Sequence, residues 1–460
     1  MRTNENSNGH YGNGGYGERR MKFYGREHEI AMLRNIRKKS LESARFTVMT
    51  GRRRVGKTEL LRRAFTDVPN LYFFMARRSE AELCANFAQE IEEKLGIPVP
   101  GTFMRVADVF TFVLKMARER PITLVIDEFQ ELARIDLGAF SSLQRDWDML
   151  KGEARINLVV SGSVNRLMNS IFRDRHEPLY GRQTDFMRLS PFPLPVLKRI
   201  LADDGRNVAP EDILALYSFT GGIAKYVELL IDANARTRDA MLDVIFREES
   251  TFLDEGRSCL IDEFGKDYGN YFSILSAIAR GRTSRSDVEQ AIGGGEVGGY
   301  LKNLIEEYGL VVKRQPLFDK PHGKNVRYAL DDNFYLFWFR FIARYSYMLE
   351  IGSHTRLKEL VRRDYAAFSG LMLERYFRQK LAERRTFTRI GSWWDRKGEN
   401  EIDIVAEDEL EKKAVFAEVK RDTERISIPI LKKKADMFLR ATGAFKGYHI
   451  AFKGLSLKDM

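Results

Sequence analysis

The sequence predicts an α/β protein with an N-terminal parallel sheet, then helical regions, then a small C-terminal α/β domain. Near-continuous apolar runs alternate with helical patterns up to about residue 191, which is typical of parallel strands covered by helices on both faces. A purely helical pattern follows, and strand-like runs return after residue 355. The predicted divisions are a disordered tail, 1–21; a parallel-sheet domain, 22–191; a helical lid, 192–265; a three-helix unit with a hairpin, 266–332; a connecting helix, 333–354; and the C-terminal domain, 355–460.

The composition of the 460 residues restricts the class of protein. With 44% hydrophobic and 12% aromatic residues, the chain has enough apolar side chains for packed cores, which excludes wholesale disorder. Lysine and arginine (76) exceed aspartate and glutamate (65), and the resulting charge of +11 favours polyanionic partners such as nucleotides and nucleic acid. No run is apolar enough for a membrane helix, and Cys84 and Cys259 have no neighbouring His or Cys. We therefore expect a cytoplasmic protein with reduced thiols and no membrane partner.

The first domain begins with a predicted helix and continues with alternating strands and helices. Ile30, Leu33, Ile36 and Leu41 recur at helical spacing. Four strand-like runs follow, with the sequences ARFTVMT, LYFFMA, PITLVIDEF and INLVVSGS. Helical patterns such as AELCANFAQEIEEKL separate them, so the strands are expected to lie parallel in one sheet.

A phosphate-binding loop follows the first strand. Residues 51–58 read GRRRVGKT, which fits the pattern G-x-x-x-x-G-K-[ST] between a strand and a helix. Glycine lets backbone N–H groups approach phosphate oxygens, and the helix N-terminus favours anions. We expect Lys57 to reach the β- and γ-phosphates of ATP and Thr58 to ligate Mg²⁺. The residues expected to bind the nucleotide in this segment are Gly51, Arg52, Arg53, Arg54, Val55, Gly56, Lys57, Thr58 and Glu59.

Acidic and polar residues at the ends of later strands complete the predicted site. The third strand ends in Asp127 and Glu128; Asp127 would lie near Mg²⁺ and Glu128 would polarise the attacking water, which favours hydrolysis. Ser161 and Ser163 follow the fourth strand and are candidates for sensing the γ-phosphate, the alternative being a simple turn. Arg182 is a candidate for stabilising transition-state charge. It would act on its own subunit's nucleotide, or on that of a neighbouring copy in a homo-oligomer.

The region 266–332 predicts a winged helix. Three short helical patterns precede a hairpin with strands Leu310–Gln315 and Asn325–Leu330, around a tip containing Pro321 and Gly323. The predicted recognition helix is acidic, which suits a phosphate backbone poorly, so two interpretations of the more basic hairpin stay open: DNA contact, or an interface within the protein. Its basic residues are Lys313, Arg314, Lys320, Lys324 and Arg327.

An aromatic run, NFYLFWFRFIARYSYML, follows the hairpin. Arg340 and Arg344 interrupt it, so it predicts a buried connecting helix rather than a membrane span.

The C-terminal domain carries a second cluster of charged residues. If the runs EIDIVA and AVFAEVK form a hairpin centred near residue 410, Asp403 lies opposite Glu418, and Lys420 shares their face. Facing carboxylates repel unless a divalent cation lies between them, and a Mg²⁺ there could activate water against a phosphodiester. Glu374, on the apolar side of an upstream helix, is a candidate third acid. The alternative is a surface hairpin with solvated charges. In that hairpin Ile402, Ile404, Val415 and Val419 would pack the opposite face.

The motifs together resemble one protein family. FYGREHEI, TGRRRVGKTELL, LVIDEFQEL, VSGS, YGR and TGGIAKYV, in this order, are similar to the archaeal-type ATPases of the AAA+/STAND kind. The segment EIDIVA…AEVK resembles that family's C-terminal domain of unknown function, itself similar to PD-(D/E)XK nucleases. The resemblance covers nearly the whole chain beyond the tail.

The resemblance implies further residue roles. Gly25 and Arg26, with Glu27, would match the box that contacts the nucleotide base or ribose, and Gly221-Gly222 would match a sensor region. Ala224 departs from the family, because a proline is usual there. Arg182 would match the arginine sensor. The residues that would match the nuclease-like site are Glu374, Asp403, Glu418 and Lys420.

We therefore predict an ATP- and Mg²⁺-dependent ATPase whose nucleotide state controls DNA binding, with metal-dependent DNA cleavage by the C-terminal domain. The alternative is a signalling or scaffold NTPase with an inactive nuclease-like domain that acts through protein–protein contacts.

Overall fold

The computed structural model describes residues 21–460 except 137, 163, 164, 204, 206, 321, 322 and 324. The predicted tail lies outside the described residues apart from Met21, as do Ser163, Pro321 and Lys324.

The N-terminal region is built on a parallel sheet, as the sequence predicts. Among the described residues, five strands run in the spatial order β2-β3-β4-β1-β5, and every adjacent pair is parallel. The sequence analysis missed the edge strand β5, because its side chains alternate between buried and exposed instead of forming an apolar run. The strands are β1 (Arg45–Gly51), β2 (Leu71–Phe74), β3 (Ile122–Asp127), β4 (Ile156–Gly162) and β5 (Asp185–Leu189).

Helices cover both faces of this sheet. One core packs Phe73, Phe110 and Trp147 against the sheet, and the other packs Leu60 and Phe65 on the opposite face. Because β1 and β3 lie between these layers, their C-terminal ends are held rigidly at one edge. The helices are α1 (Glu27–Lys39), α2 (Lys57–Ala64), α3 (Glu80–Leu95), α4 (Val106–Glu119), α5 (Leu132–Ile135), α6 (Ala139–Leu150) and α7 (Asn165–Arg173).

The next region is helical and ends in a hairpin. Its helices are α8 (Leu194–Ala202), α9 (Pro210–Thr220), α10 (Ala224–Asp232), α11 (Arg238–Ile245), α12 (Thr251–Phe264), α13 (Tyr268–Ala279), α14 (Arg285–Ala291) and α15 (Gly298–Glu306). The hairpin pairs β6 (Val311–Arg314) with β7 (Arg327–Leu330), each shorter than predicted. Three helices and a hairpin are therefore present in the predicted order, and the winged-helix assignment stays a prediction.

The aromatic segment is buried only in its first part, up to Ile342, and it is not one continuous α-helix. It consists of α16 (Asn333–Phe337), a π-helical turn (Trp338–Ile342), a 3₁₀ turn (Ala343–Tyr345) and α17 (Ser346–Glu350). Its consecutive rings from Phe334 to Phe339 are all buried. A wider π turn changes the angular spacing of successive side chains, which a regular helical pattern in the sequence does not reveal.

The C-terminal region is a small mixed sheet between two helices. The strands run in the order β11-β10-β9-β8, with β10 and β11 parallel and the other pairs antiparallel. The elements are α18 (His354–Glu383), β8 (Arg389–Trp394), β9 (Glu401–Asp408), β10 (Lys413–Val419), α19 (Ile428–Thr442) and β11 (His449–Leu455). In the part of the chain that the structure describes, no helix has the length and apolarity that crossing a membrane requires.

Candidate functional site

The loop between β1 and α2 has the geometry of a phosphate-binding loop. Gly56 and Arg54 adopt left-handed backbone conformations, with φ of 96° and 67°, which turn the chain sharply before Lys57 opens α2. The Lys57 ammonium is buried and donates to the backbone oxygens of Gly51 (3.0 Å) and Arg52 (3.2 Å). Burial lowers the pKa of Lys57, although Glu128 and Asp127 oppose that shift. A buried cation that donates to neutral carbonyls, at a helix N-terminus, fits a polyphosphate group.

Asp127, at the end of β3, is the centre of a buried hydrogen-bond network. Its Oδ2 accepts from the Thr58 hydroxyl at 2.7 Å, and the Ser161 hydroxyl donates to Oδ1. The loop threonine and the strand-end carboxylate are thus in contact. This arrangement fits Thr58 as a Mg²⁺ ligand whose hydroxyl is oriented by Asp127. The hydroxyl of Ser161 thus bonds Asp127, and sensing of the γ-phosphate by Ser161 stays a prediction.

Tyr72, which no sequence motif identified, also donates its hydroxyl to Asp127 Oδ2. Burial and the Asp127 charge raise the pKa of Tyr72, so its hydroxyl stays a donor. The sequence feature that could have identified Tyr72 is its position on the second strand. This strand, β2, pairs in parallel with β3, and Phe74 at its end lies beside Asp127.

Glu128 lies where the network meets a cavity of about 650 Å³. The cavity separates the loop from the helical region, and Arg53, Phe74, Tyr226 and Glu263 are among its lining residues. Glu128 has a φ of 53° and accepts from the Gln130 side-chain amide. A left-handed non-glycine residue is unfavourable and is found preferentially at functional sites. The cavity is large enough for a nucleotide beside this carboxylate.

The three arginines of the loop contact carboxylates of the later regions. Lys225 at the start of α10 also donates its N–H to Arg54 O at 3.2 Å. The acidic partners lie between 201 and 280 residues away in the chain, so local sequence patterns could not identify them. The pairs are Arg52 with Asp332, Arg53 with Asp262, and Arg54 with Glu255.

The Gly25–Arg26 segment packs against the same loop. The Arg26 guanidinium is buried and donates to Val55 O at 3.3 Å and Ser190 O at 2.9 Å. A Cβ at Gly25 would lie 2.5 Å from a methyl group of Val196 on α8, so only glycine fits there. Contact of this segment with a nucleotide base or ribose stays a prediction.

Gly221 and Gly222 form the tight turn between α9 and α10. Gly222 O accepts from Phe192 N at 2.7 Å, and a Cβ at Gly222 would lie 2.7 Å from Phe192 O. Ala224 follows, and its Cβ would lie 3.5 Å from a Cβ built at Gly56 of the loop. The segment therefore touches the loop, and its sensor role stays a prediction.

Arg182 lies away from the loop within its own chain. Its guanidinium donates to Asp148 of α6 at 3.2 Å and to Tyr180 O at 2.8 Å. It is not among the residues that line the 650 Å³ cavity. Its role, toward its own nucleotide or that of a neighbouring copy, stays a prediction.

The C-terminal cluster has the predicted register. The pairing of Ala417 with Ile404 puts Glu418 and Asp403 next in line across β9 and β10. Asp403 Oδ2 accepts from Val419 N at 2.7 Å, and the Lys420 ammonium lies 3.3 Å from it and 3.7 Å from Glu418 Oε1. Glu418 Oε2 also accepts from a backbone N–H of the segment before α19.

Glu374 on α18 belongs to the same electrostatic group. Burial and then the Asp403 charge raise the pKa of Glu374 to about 7, although Arg378, 3.6 Å away, opposes the shift. Within the described residues, however, no three His, Cys, Asp or Glu side chains are arranged to hold a metal ion. The four charges thus interact without forming a metal cage in this conformation.

The predicted apolar face of this hairpin is wrong in one respect. Ile404 and Val419 pack in the core that contains α18, whereas Ile402 packs against α19. A register shift between Gly391 and Trp393 on β8 adds a residue to β9, which reverses the direction of the following side chains.

Part of the basic hairpin faces the protein interior. Arg327 donates to Glu401 at 3.0 Å and lies over the Trp394 ring of the C-terminal sheet. Lys313 and Lys320 are exposed. Arg327 thus joins the hairpin to the C-terminal sheet, whereas Lys313 and Lys320 can reach an external partner.

Comparisons with known proteins agree with this geometry. Residues 23–230 match the model of a family described as an ATPase domain predominantly from Archaea. Residues 338–433 match a family described as archaeal and bacterial proteins of unknown function. An uncharacterized protein of Methanocaldococcus jannaschii is 27% identical over 433 residues, covering 89% of this chain and 91% of the relative. The Walker-type ATPase of Pyrococcus abyssi superposes with a TM-score of 0.53 at 22% identity, covering 70% of this chain and 97% of that chain, which shows a shared fold.

Proposed function

We propose that this chain, which carries an archaeal-type P-loop ATPase domain followed by a C-terminal domain of a family of unknown function, is an ATP-hydrolysing switch that controls DNA engagement. One observation carries the ATPase part. The buried Lys57 ammonium, the Thr58–Asp127 hydrogen bond and the cavity beside Glu128 lie at one edge of the sheet. Hydrolysis of a triphosphate requires a cation for the phosphates, a ligand for Mg²⁺ and a carboxylate near the attacking water, and these residues would supply all three.

The roles follow from the chemistry of each group. Lys57 and the loop N–H groups would hold the β- and γ-phosphates, and Glu128 would accept a proton from the attacking water. Bound Mg²⁺, ligated by Thr58, would neutralise phosphate charge. Asp127 would hold Thr58 in place through their hydrogen bond.

ATP turnover of three variants tests this proposal. We expect Lys57→Ala to abolish turnover and weaken ATP binding, and Glu128→Gln to abolish turnover while retaining binding. Glu131→Gln is the matched control, because this cavity carboxylate already pairs with Arg77 and Arg134. Full turnover by Lys57→Ala, or equal loss in the control, would refute the assignment.

The contacts of the loop support coupling to the rest of the protein. Arg52, Arg53 and Arg54 each pair with a carboxylate on α12 or at the start of α16. Phosphate groups entering the loop would compete with those carboxylates for the same cations. ATP binding would therefore change how the helical region and the attached hairpin sit on the loop.

DNA binding measured with and without ATP tests the coupling. We expect salt-dependent binding that changes with nucleotide and weakens in a Lys313→Gln/Lys320→Gln variant, since these exposed lysines are free to meet phosphates. DNA binding that is absent, or independent of salt and ATP, would favour the signalling or scaffold alternative.

The C-terminal cluster supports a second activity, metal-dependent DNA cleavage. Two carboxylates and a lysine at 3.3 to 3.7 Å, with Glu374 behind them, are groups that such cleavage uses. The Lys420–Asp403 ion pair and the absence of a three-ligand metal group among the described residues favour an inactive domain instead. Plasmid cleavage with Mg²⁺ or Mn²⁺ by wild type and Asp403→Ala distinguishes the two. Equal cleavage by both, or by neither, would remove the nuclease proposal.

A further inference from the structure

A second cavity, of about 540 Å³, lies on the other side of the loop arginine Arg52. Its walls come from parts of the chain that are far apart in sequence. These parts of the chain are the end of β5 with the segment that follows it, the end of β6, the start of α16, and the helix α18. The sequence motifs predict no ligand for this cavity.

The walls of this cavity are unusually rich in arginine. Five arginines line it, against three carboxylates, which leaves an excess of two positive charges. The arginines are Arg52, Arg188, Arg314, Arg375 and Arg378.

The three carboxylates are already engaged or do not pair with these arginines. Asp332 pairs with Arg52 and caps α16 by accepting from Tyr335 N at 2.9 Å. Glu383 accepts from Leu194 N at 3.2 Å and from the Gln379 amide at 2.8 Å. The Asp331 carboxylate attracts Arg314 and Arg375 electrostatically, but it is not in ion-pair contact with any described arginine.

The deeper arginines are held by neutral groups. Arg375 is 8% exposed, and its guanidinium donates to Leu330 O at 2.5 Å, Asn333 Oδ1 at 3.0 Å and Asp331 O at 3.4 Å. Among the described residues, Asp331 and Glu374 attract Arg314, and their charges only partly oppose the lowering of its pKa. Burial, and then the positive charges of Arg375 and Arg378, lower the pKa of Arg314 to about 9. Neighbouring half-buried like charges repel one another, and an anion bound among them would stabilise the protein.

We propose that this cavity is a second anion site, separate from the phosphate-binding loop, and that its ligand is a nucleotide-sized phosphate ester. Arginine forks bind phosphate oxygens in bidentate fashion. The volume of about 540 Å³ exceeds that of a bare phosphate ion. Leu189, Pro191 and Pro193 add an apolar wall for the organic part of the ligand.

The site lies between the two candidate active sites. Arg52 lines both this cavity and the 650 Å³ cavity beside Glu128. Arg378 lies 3.6 Å from Glu374 of the C-terminal cluster. A bound phosphate ester would therefore compete for arginines that also contact each of those sites.

Calorimetry with pyrophosphate as the probe tests the site in the full-length chain. Lys57→Ala is the background, because it weakens binding at the phosphate-binding loop and makes the result independent of ATP hydrolysis. We expect this variant still to bind pyrophosphate. Adding Arg314→Gln or Arg378→Gln should weaken that binding about tenfold or more, as for one lost charge-assisted hydrogen bond.

The matched control is Arg363→Gln, an exposed arginine of the same helix α18 that pairs with its neighbour Asp364. It should bind the probe as the background does. Urea unfolding separates lost binding from lost folding: Arg314→Gln should unfold at the same or a higher urea concentration, since it removes a repelled charge. No pyrophosphate binding by the Lys57→Ala background, or equal binding by all variants, would overturn the site.

Competition then identifies the source of the phosphate ester. Nucleoside mono- and diphosphates form one arm and a short single-stranded oligonucleotide the other, each displacing pyrophosphate from the Lys57→Ala variant. Displacement by either arm supports the proposed ligand chemistry and names its source. Displacement by neither would overturn the ligand class.

Discussion

The contact between Arg54 and Glu255 allows a sharp test of how the phosphate-binding loop is held. Glu255 on α12 is 7% exposed, and besides Arg54 its carboxylate accepts from the Tyr226 hydroxyl (3.1 Å) and the Cys259 thiol (3.0 Å). Arg54→Met keeps much of the side-chain volume and removes the charge. The buried carboxylate would then have only two neutral donors.

The expected loss of stability follows from burial. Breaking a fully buried ion pair by removing one partner costs about 3–5 kcal/mol. The Arg54 side chain is 37% exposed, so solvent screening reduces the expected loss to about 2–3 kcal/mol. Arg53 and its partner Asp262 are 51% and 46% exposed, and Arg53→Met should therefore cost about 1 kcal/mol or less.

Urea unfolding monitored by tryptophan fluorescence provides the assay. Trp338, one of the four tryptophans, packs against Gly256 of α12 and donates to Leu253 O, so part of the emission change reports on this helix. The double variant Arg54→Met/Glu255→Gln should recover most of the loss, because no buried charge remains unpaired.

Equal destabilisation by Arg53→Met and Arg54→Met would refute the reasoning, since the two differ mainly in burial. A double variant no more stable than Arg54→Met would refute it as well, because the loss would then not arise from an uncompensated carboxylate.

Three further predictions concern the same region. In urea unfolding, Gly222→Ala should destabilise the protein by about 2–4 kcal/mol and Gly221→Ala by about 1–2 kcal/mol. Both glycines have a positive φ, but only at Gly222 would a Cβ lie 2.7 Å from a backbone oxygen. Burial raises the pKa of Glu263 from 4.5 to about 7, so the folded state binds this proton more tightly. Its stabilising contribution should be complete below pH 4.5 and fall by about 3 kcal/mol as pH rises through 7, and Glu263→Gln should flatten that part of the pH profile. Ser161→Ala removes a hydroxyl that donates to buried Asp127. The variant should be less stable by about 1–2 kcal/mol and should bind MgATP more weakly in calorimetry. Unchanged binding would show that this hydroxyl does not position the carboxylate.

Much of the ATPase region follows from local sequence. The apolar run ending in Asp127 predicts a buried strand, and the GRRRVGKT loop fits one backbone shape, because glycine and the helix start at Lys57 are both required there. The hairpin of the C-terminal domain was predictable in register for the same reason, since a short turn fixes which residues face each other. The strand β5 was not, because an edge strand with one exposed face lacks a continuous apolar run.

The amino-acid sequence alone determined which chemical groups stand at the ends of the strands. They are a phosphate-binding loop and two successive acids, and each is set by residues adjacent in the chain. Only the tertiary structure decided which distant groups meet them. The carboxylate of Glu255 reaches Arg54, the hydroxyl of Tyr72 reaches Asp127, and Arg314 joins two arginines of α18 around one cavity. Such contacts depend on how helices and sheets pack, and packing brings together residues whose separation along the chain carries no repeating signal.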